Sequence, residues 1–154
     1  MSNYSKEHAW MMVAHSLSLL SHDDRTKVGA VLVTENHRVV MGTGYNGSYP
    51  GGPNERSNVN AASSGQSGLV HAEVNCIVGK GKAIHIMQAL HLGHRPGIMY
   101  VTHSPCMACA ATLIISGAVQ KVVYGEPYID RDGNYDASPV EALEDAGIKT
   151  LLLR

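Results

Sequence analysis

Cysteine is scarce in this chain, with three in 154 residues. An odd and low number does not make a disulfide framework. Cys106 and Cys109 lie three apart, the spacing of metal and redox sites, and the expected compartment is a reducing cytoplasm, the host's if the source is viral. Charge excess is also missing. Twelve Lys+Arg stand against thirteen Asp+Glu, for a formal net charge of −1, so a surface built to neutralise many nucleic-acid phosphates is not expected and a small-molecule substrate fits better. No run approaches the roughly 20 apolar residues of a membrane-spanning helix. Met1–Lys6 lacks the cationic start and apolar core of a secretory leader, so neither membrane nor targeting is expected. Internal repeats are absent. The remaining composition, 44% hydrophobic and 16% charged, suits one globular domain over residues 1–154.

Periodicity then divides the chain. Ser5–Leu20 places Trp10, Val13, Ala14, Leu17 and Leu20 at helical spacing, which predicts an amphipathic helix covering one side of a sheet. Val28–Thr34 and Arg38–Gly44 are β-branched, apolar runs joined by Glu35-Asn36-His37, a hairpin in which the asparagine suits the turn. From Asn46 to Gly68, 16 of 23 residues are Gly, Pro, Ser or Asn, a composition open to two readings, a disordered linker or a functional loop. Val70–Gly79 reads as a short helix, Ile84–Leu92 is apolar but ambiguous, and Ile98–Thr102 is a strand. Pro105 opens a helix over Cys106–Ser116 that Gly117 ends. Lys121–Tyr124 is a strand, Ser138-Pro139 starts a helix closed by Gly147, and Ile148–Leu152 is the last strand. This alternation predicts a mixed sheet with helices on both faces.

Chemistry concentrates in two segments. His71-Ala72-Glu73 and, 35 residues after the histidine, Pro105-Cys106-Met107-Ala108-Cys109 together match the His-x-Glu…Pro-Cys-x-x-Cys signature of zinc-dependent nucleobase deaminases, a match to a known pattern rather than a derivation. The physics is consistent with it. Cys106 and Cys109 share one face of a first helical turn, where unpaired N–H groups favour thiolates. With His71 they make a three-ligand set for Zn²⁺, one per chain, whose fourth position is left for water. Glu73 is two residues from His71 and faces the same site only if the helix N-terminus points at the metal, with the histidine at the cap. It is then the general acid and base, unligated. A lone Cys-x-x-Cys would be as well explained by a redox or structural zinc element. Cys76, one turn beyond Ala72, reads as a buried thiol. His85, His91 and His94 raise the question of a second metal without a cysteine partner.

The segments Asp24-Arg25-Thr26-Lys27-Val28-Gly29-Ala30, Gly42-Thr43-Gly44-Tyr45-Asn46-Gly47, His71-Ala72-Glu73-Val74-Asn75 and Val101-Thr102-His103-Ser104-Pro105-Cys106 with Cys109-Ala110 resemble the deoxycytidylate (dCMP) deaminases of the cytidine-deaminase-like superfamily. The zinc motifs belong to the whole superfamily. The Gly-Tyr-Asn-Gly segment and the His-Ala-Glu-x-Asn continuation resemble the dCMP branch more narrowly. The resemblance implies a three-layer α/β/α fold with a five-stranded mixed sheet, hydrolysis of dCMP to dUMP and ammonia, and a homohexamer activated by dCTP and inhibited by dTTP with Mg²⁺. Carried onto this chain, it implies zinc on His71, Cys106 and Cys109 and proton transfer by Glu73. Asn46 would meet the sugar, Ala72 and the carbonyl of Ser104 the base, and Tyr128 the substrate. Ser64, Gly65, Gln66, Ser67 and Gly68 occupy a phosphate-contacting position, which small residues before a helix N-terminus suit physically. An effector nucleotide would lie near Lys27, Gly44, Asn46 and Gly47, with Arg25 and Arg56 as triphosphate contacts, unless these arginines are ordinary solvated side chains. The family's Gly-Tyr-Asn-Gly-Phe-Pro-x-Gly is interrupted here as Gly47-Ser48-Tyr49-Pro50-Gly51-Gly52, and the chain has no phenylalanine. Rival readings are a deaminase of free nucleosides or of tRNA adenosine, and a non-catalytic zinc module.

Overall fold

The computed structural model describes residues 4–49, 52, 69–79 and 82–154. Two β-branched runs form its centre. β1 (Gly29–Val33) is buried at every position and β3 (Gly97–His103) at all but the last, the pattern of strands covered on both faces. β1 pairs antiparallel with β2 (Val40–Tyr45) on one side and with β3 on the other. β4 (Val119–Glu126) adds parallel to β3, and β5 (Lys149–Leu152) parallel to β4. The order is β2-β1-β3-β4-β5, the five-stranded mixed sheet expected.

Strand alternation sends side chains into two cores. On one face Val31, Val33, Ile98, Tyr100 and Val123 meet Met11 and Ala14 of α1 (Lys6–Ser18). On the other, Ala30, Leu32, Met99, Val101 and Val122 meet Cys76 and Ile77 of α2 (Ala72–Val78), Ile86 of α3 (Lys82–His91), Ala110 and Leu113 of α4 (Met107–Ser116), and Leu143 of α5 (Ser138–Asp145). Three layers result, and α1 is the helix of the first.

The structure corrects several local expectations. Ser5 is the N-cap of α1, accepting from the His8 amide, and the helix ends at Ser18. Its buried positions are Met11, Ala14 and Ser18, whereas Val13 and Leu20 face outward, because Gly29 draws the helix in on that stripe. A Cβ on Gly29 would lie 1.9 Å from the Ala14 carbonyl oxygen. At the hairpin tip His37, not Asn36, takes the left-handed conformation (φ 59). Asn36 instead accepts from Thr34 Oγ1 and the Arg38 amide, and His37 reaches Tyr100 Oη at 2.8 Å. The ambiguous segment is helical as α3. β4 outruns its apolar core at both ends because the parallel ladder with β3 continues to the His103–Glu126 pair. Gly117 (φ 65) ends α4 as expected.

Candidate active site

Two helix starts converge beyond the central strands. His71, extended at φ −71 and ψ 155, is the N-cap of α2, and Cys106, at φ −75 and ψ 173, is the N-cap of α4. Pro105 therefore precedes the cap rather than opening the helix. An N-cap side chain ordinarily accepts from its own first-turn amides. Neither does so here; both turn toward the other helix. His71 Nδ1 lies 3.2 Å from Cys109 Sγ and 3.6 Å from Cys106 Sγ. The three ligand atoms all fall within 4.8 Å of one another and form the one such His/Cys/Asp/Glu group among the described residues. His85, His91 and His94, spread along α3 and its exit, form no second group there.

The donor set fits zinc. Bonds of about 2.05 Å to nitrogen and about 2.3 Å to sulfur at tetrahedral angles separate the two donors by about 3.6 Å, close to the distances found. Electrostatics agree. The hydrogen bond from Cys109 holds the Cys106 thiol down at about 3, with His71 assisting. The same contact pushes the Cys109 thiol up, as do burial and Glu73. The sulfur pair thus shares one proton, which a divalent cation would displace.

Glu73 sits in the first turn of α2 with 4% of its surface exposed. Burial raises its carboxyl above the ordinary range, opposed by backbone hydrogen bonding and by His71. It lies against Cys109 yet stands outside the three-ligand group. A cap histidine followed by a first-turn carboxylate is the arrangement the two-residue spacing required.

Around this centre, Ala72 is fully buried, and Ser104 is held at the end of β3 by its amide bond to the Glu126 carbonyl, 2.7 Å. Tyr128 follows β4, and its phenol is pushed up by burial and then by Cys106, which places it on the sulfur side. Its carbonyl accepts from Asp136, closing a small ribbon through the Ile129–Tyr135 bridge. Asn46 is buried at the end of β2. Its Nδ2 donates to Asp23 Oδ2 (3.0 Å) and the Thr26 carbonyl (2.7 Å), and its Oδ1 accepts from the Val28 amide (2.8 Å). Asp23, 3% exposed, also accepts from the Arg25 amide. That buried acid was missed in the sequence; its signal was an acid and a serine, Ser21, straight after a helix, and the serine hydroxyl donates to the Asn46 carbonyl. Gly47 exchanges both backbone bonds with Val70, which leads directly into His71. Of the effector residues, Lys27 bonds the Ser21 carbonyl, Arg25 is exposed, and the Gly44 α-carbon is covered by α2. Arg56 and Ser64–Gly68 lie outside the described residues.

A three-layer α/β/α fold with a His–Cys–Cys set at two helix starts defines a zinc-binding protein of the deaminase class. A sequence profile described as "Cytidine and deoxycytidylate deaminase zinc-binding region" matches residues 4–126, and the chain belongs to that family. Among its relatives, the deoxycytidylate deaminase of Mycobacterium phage D29 is 29% identical over 127 residues, covering 80% of this chain and 97% of the phage protein. The human deoxycytidylate deaminase is 30% identical over 129 residues, 80% of this chain and 66% of the human one. ComE operon protein 2 of Bacillus subtilis is 32% identical over 135 residues, 83% and 63% of the respective chains. The match thus spans slightly under two thirds of the human and Bacillus proteins. The apo crystal structure of dCMP deaminase from the cyanophage S-TIM5 shares the fold, with TM-score 0.66 at 22% identity, covering 99% of this chain and all of that one. No described helix is long and apolar enough to cross a membrane.

Proposed function

We propose that this chain hydrolyses dCMP to dUMP and ammonia, supplying dUMP for thymidylate synthesis. The observation that carries the chemistry is a buried carboxylate, Glu73, against a His71–Cys106–Cys109 set at two helix N-termini. The choice of dCMP is supported by the names of the phage and human relatives, the phage one matched along 97% of its length.

Zinc on the triad supplies the Lewis acidity that makes hydroxide available near neutral pH. Glu73 takes the proton of the attacking water and delivers it to N3 of the cytosine while C4 becomes tetrahedral. It then takes the proton of the new C4 hydroxyl and gives it to the departing amino group as the C4–N bond breaks and the C4 carbonyl forms, so that water and dCMP leave as ammonia and dUMP. Burial suits it to both roles, since a carboxyl raised above its ordinary range gives and takes protons nearer neutrality. Ser104 offers its carbonyl to the leaving amine and Ala72 borders the base. Tyr128 flanks the ring. Asn46 has both amide hydrogens engaged, so a sugar hydroxyl falls to the second lone pair of Oδ1. Ser64, Gly65, Gln66, Ser67 and Gly68 take the phosphate. Activation by dCTP, inhibition by dTTP with Mg²⁺, effector contacts from Arg25, Lys27, Asn46, Gly47 and Arg56, a homohexamer and a cytoplasmic location complete the proposal; Gly44, covered by α2, drops out of the effector set.

The test is ammonia release from dCMP, CMP, deoxycytidine and cytosine, each with and without dCTP and dTTP. A kcat/KM for dCMP at least tenfold above that for deoxycytidine supports the reading; equal values favour a nucleoside enzyme. No release from any of these or from adenosine in tRNA leaves a structural zinc module.

A further inference from the structure

Two sequence features outside the zinc motif, the glycines Gly42 and Gly44 and the asparagine Asn75 after His-Ala-Glu, have no part in the catalytic steps above. The structure puts them together. α2 is only seven residues long and its N-cap side chain is turned away to the metal site, so its own hydrogen bonds hold it weakly. Its seat is β2. A Cβ at Gly44 would stand 2.4 Å from the Ala72 carbonyl oxygen and 2.5 Å from the Cys76 nitrogen, and one at Gly42 would stand 2.3 Å from the Cys76 oxygen. The glycines let the helix backbone touch the strand, and Ala72, Cys76 and Ile77 seat its inner face in the core, but the glycine floor itself has no side chain to stop the helix sliding or turning. Polar bonds at its edge add that restraint. Asn75 Nδ2 donates to the Tyr45 carbonyl, 2.9 Å away. Lys82 Nζ donates to the Thr43 carbonyl and to the Asn75 carbonyl, the latter at 3.1 Å. Both strand acceptors lie on the outer edge of β2, where no further strand pairs among the described residues.

We propose that Asn75 is a positioning residue: its bond to Tyr45, one residue before Asn46, fixes the rotation of α2 and so the placement of the Glu73 carboxylate relative to the substrate-side end of β2. Lys82 braces the same joint from the C-terminal end of the helix. Asn75 is one turn from His71 and two residues from Glu73, so a small rotation about the helix axis displaces the carboxylate while the metal keeps the histidine. A misplacement near 1 Å costs on the order of 10²-fold in rate.

This rests on the dCMP reading for its kinetic arm, and the experiment separates the two. Zinc-loaded wild type, Asn75→Ala, Asn75→Asp and Asn75→Gln are compared for zinc content, kcat and KM with dCMP, and amide exchange of residues 72–78. Expected are full zinc in all four, kcat lowered about 10–100-fold with KM within about threefold in Asn75→Ala and Asn75→Asp, partial recovery in Asn75→Gln, which keeps the donor, and faster exchange in α2. Unchanged exchange together with kcat within twofold in Asn75→Asp overturns the positioning role. Equal falls in all three variants accompanied by zinc loss also overturn it, in favour of general support of the metal site. A wild type inert on dCMP overturns the substrate reading alone, since α2 exchange still tests the joint.

Discussion

At the scale of single residues, the proposed function divides the site into three metal-holding groups and one proton carrier, Glu73. Glu73→Ala removes the shuttle without touching a ligand, so zinc content and the circular dichroism spectrum should stay as in wild type while kcat for dCMP falls by about 10²–10⁴ or more; near-normal turnover would refute the assignment. The three thiols should divide in the same manner. Burial pushes the Cys76 thiol up to about 12, so it stays protonated and inert at neutral pH, while of the metal-site pair Cys106 is the thiolate and Cys109 keeps the shared proton. A thiol-reactive dye should count no fast thiol in the zinc-loaded protein, one, Cys106, after chelation, and all three only on denaturation. The grouping of His71, Cys106 and Cys109 was legible beforehand, since it depends on spacing along two helices. The engagement of Asn46 with Asp23, and of Asn75 with Tyr45, was not, because those partners are 23 and 30 residues away and no short pattern links them. The imidazole nitrogen facing the sulfurs, Nδ1, likewise emerged only from the cap geometry.

At the scale of elements, glycine decides how closely helices approach the sheet. α1 rests on Gly29 as α2 rests on Gly42 and Gly44. Gly29→Ala would drive a methyl into the Ala14 carbonyl and the Ser18 amide, 1.9 and 2.6 Å away; backbone atoms cannot swing aside as a flexible side chain does. Stability should fall by about 1–3 kcal/mol or more, read as a lower urea midpoint, with zinc still bound because α1 carries no ligand. Strands and helices were read correctly where apolar period and punctuation agreed, as at β3 and α4. The reading failed where tertiary contact overrode period. The apolar stripe of α1 rotated toward Gly29, β4 lengthened along its parallel partner, and α3, with Ile84, Met87 and Leu92 largely exposed, resisted assignment because its apolar residues do not all face inward. Strand order lay beyond periodicity altogether, since nothing local says that β3 pairs with β1.

At the scale of the whole molecule, proton linkage sets an alkaline limit. Cys76 and Tyr100 are both pushed by burial to about 12 in the folded chain, against ordinary values of about 8.5 and about 10. At these two groups the unfolded chain therefore releases protons that the folded one retains, so the stability they contribute is fully present below about pH 8.5 and declines from there toward pH 12. The urea midpoint should drop between pH 8 and 11, and Cys76→Ala, whatever its cost at pH 8, should flatten the early part of that slope. One feature of the topology also has a kinetic meaning. His71 precedes β3 and both cysteines follow it, while β3 lies at the centre of the sheet between β1 and β4. The metal's three ligands are thus brought into reach only when the middle strand has threaded into place. Zinc capture then becomes a clock for assembly, and in a refolding experiment coordination should trail sheet formation, the ion joining the starts of α2 and α4 across a sheet that has already formed.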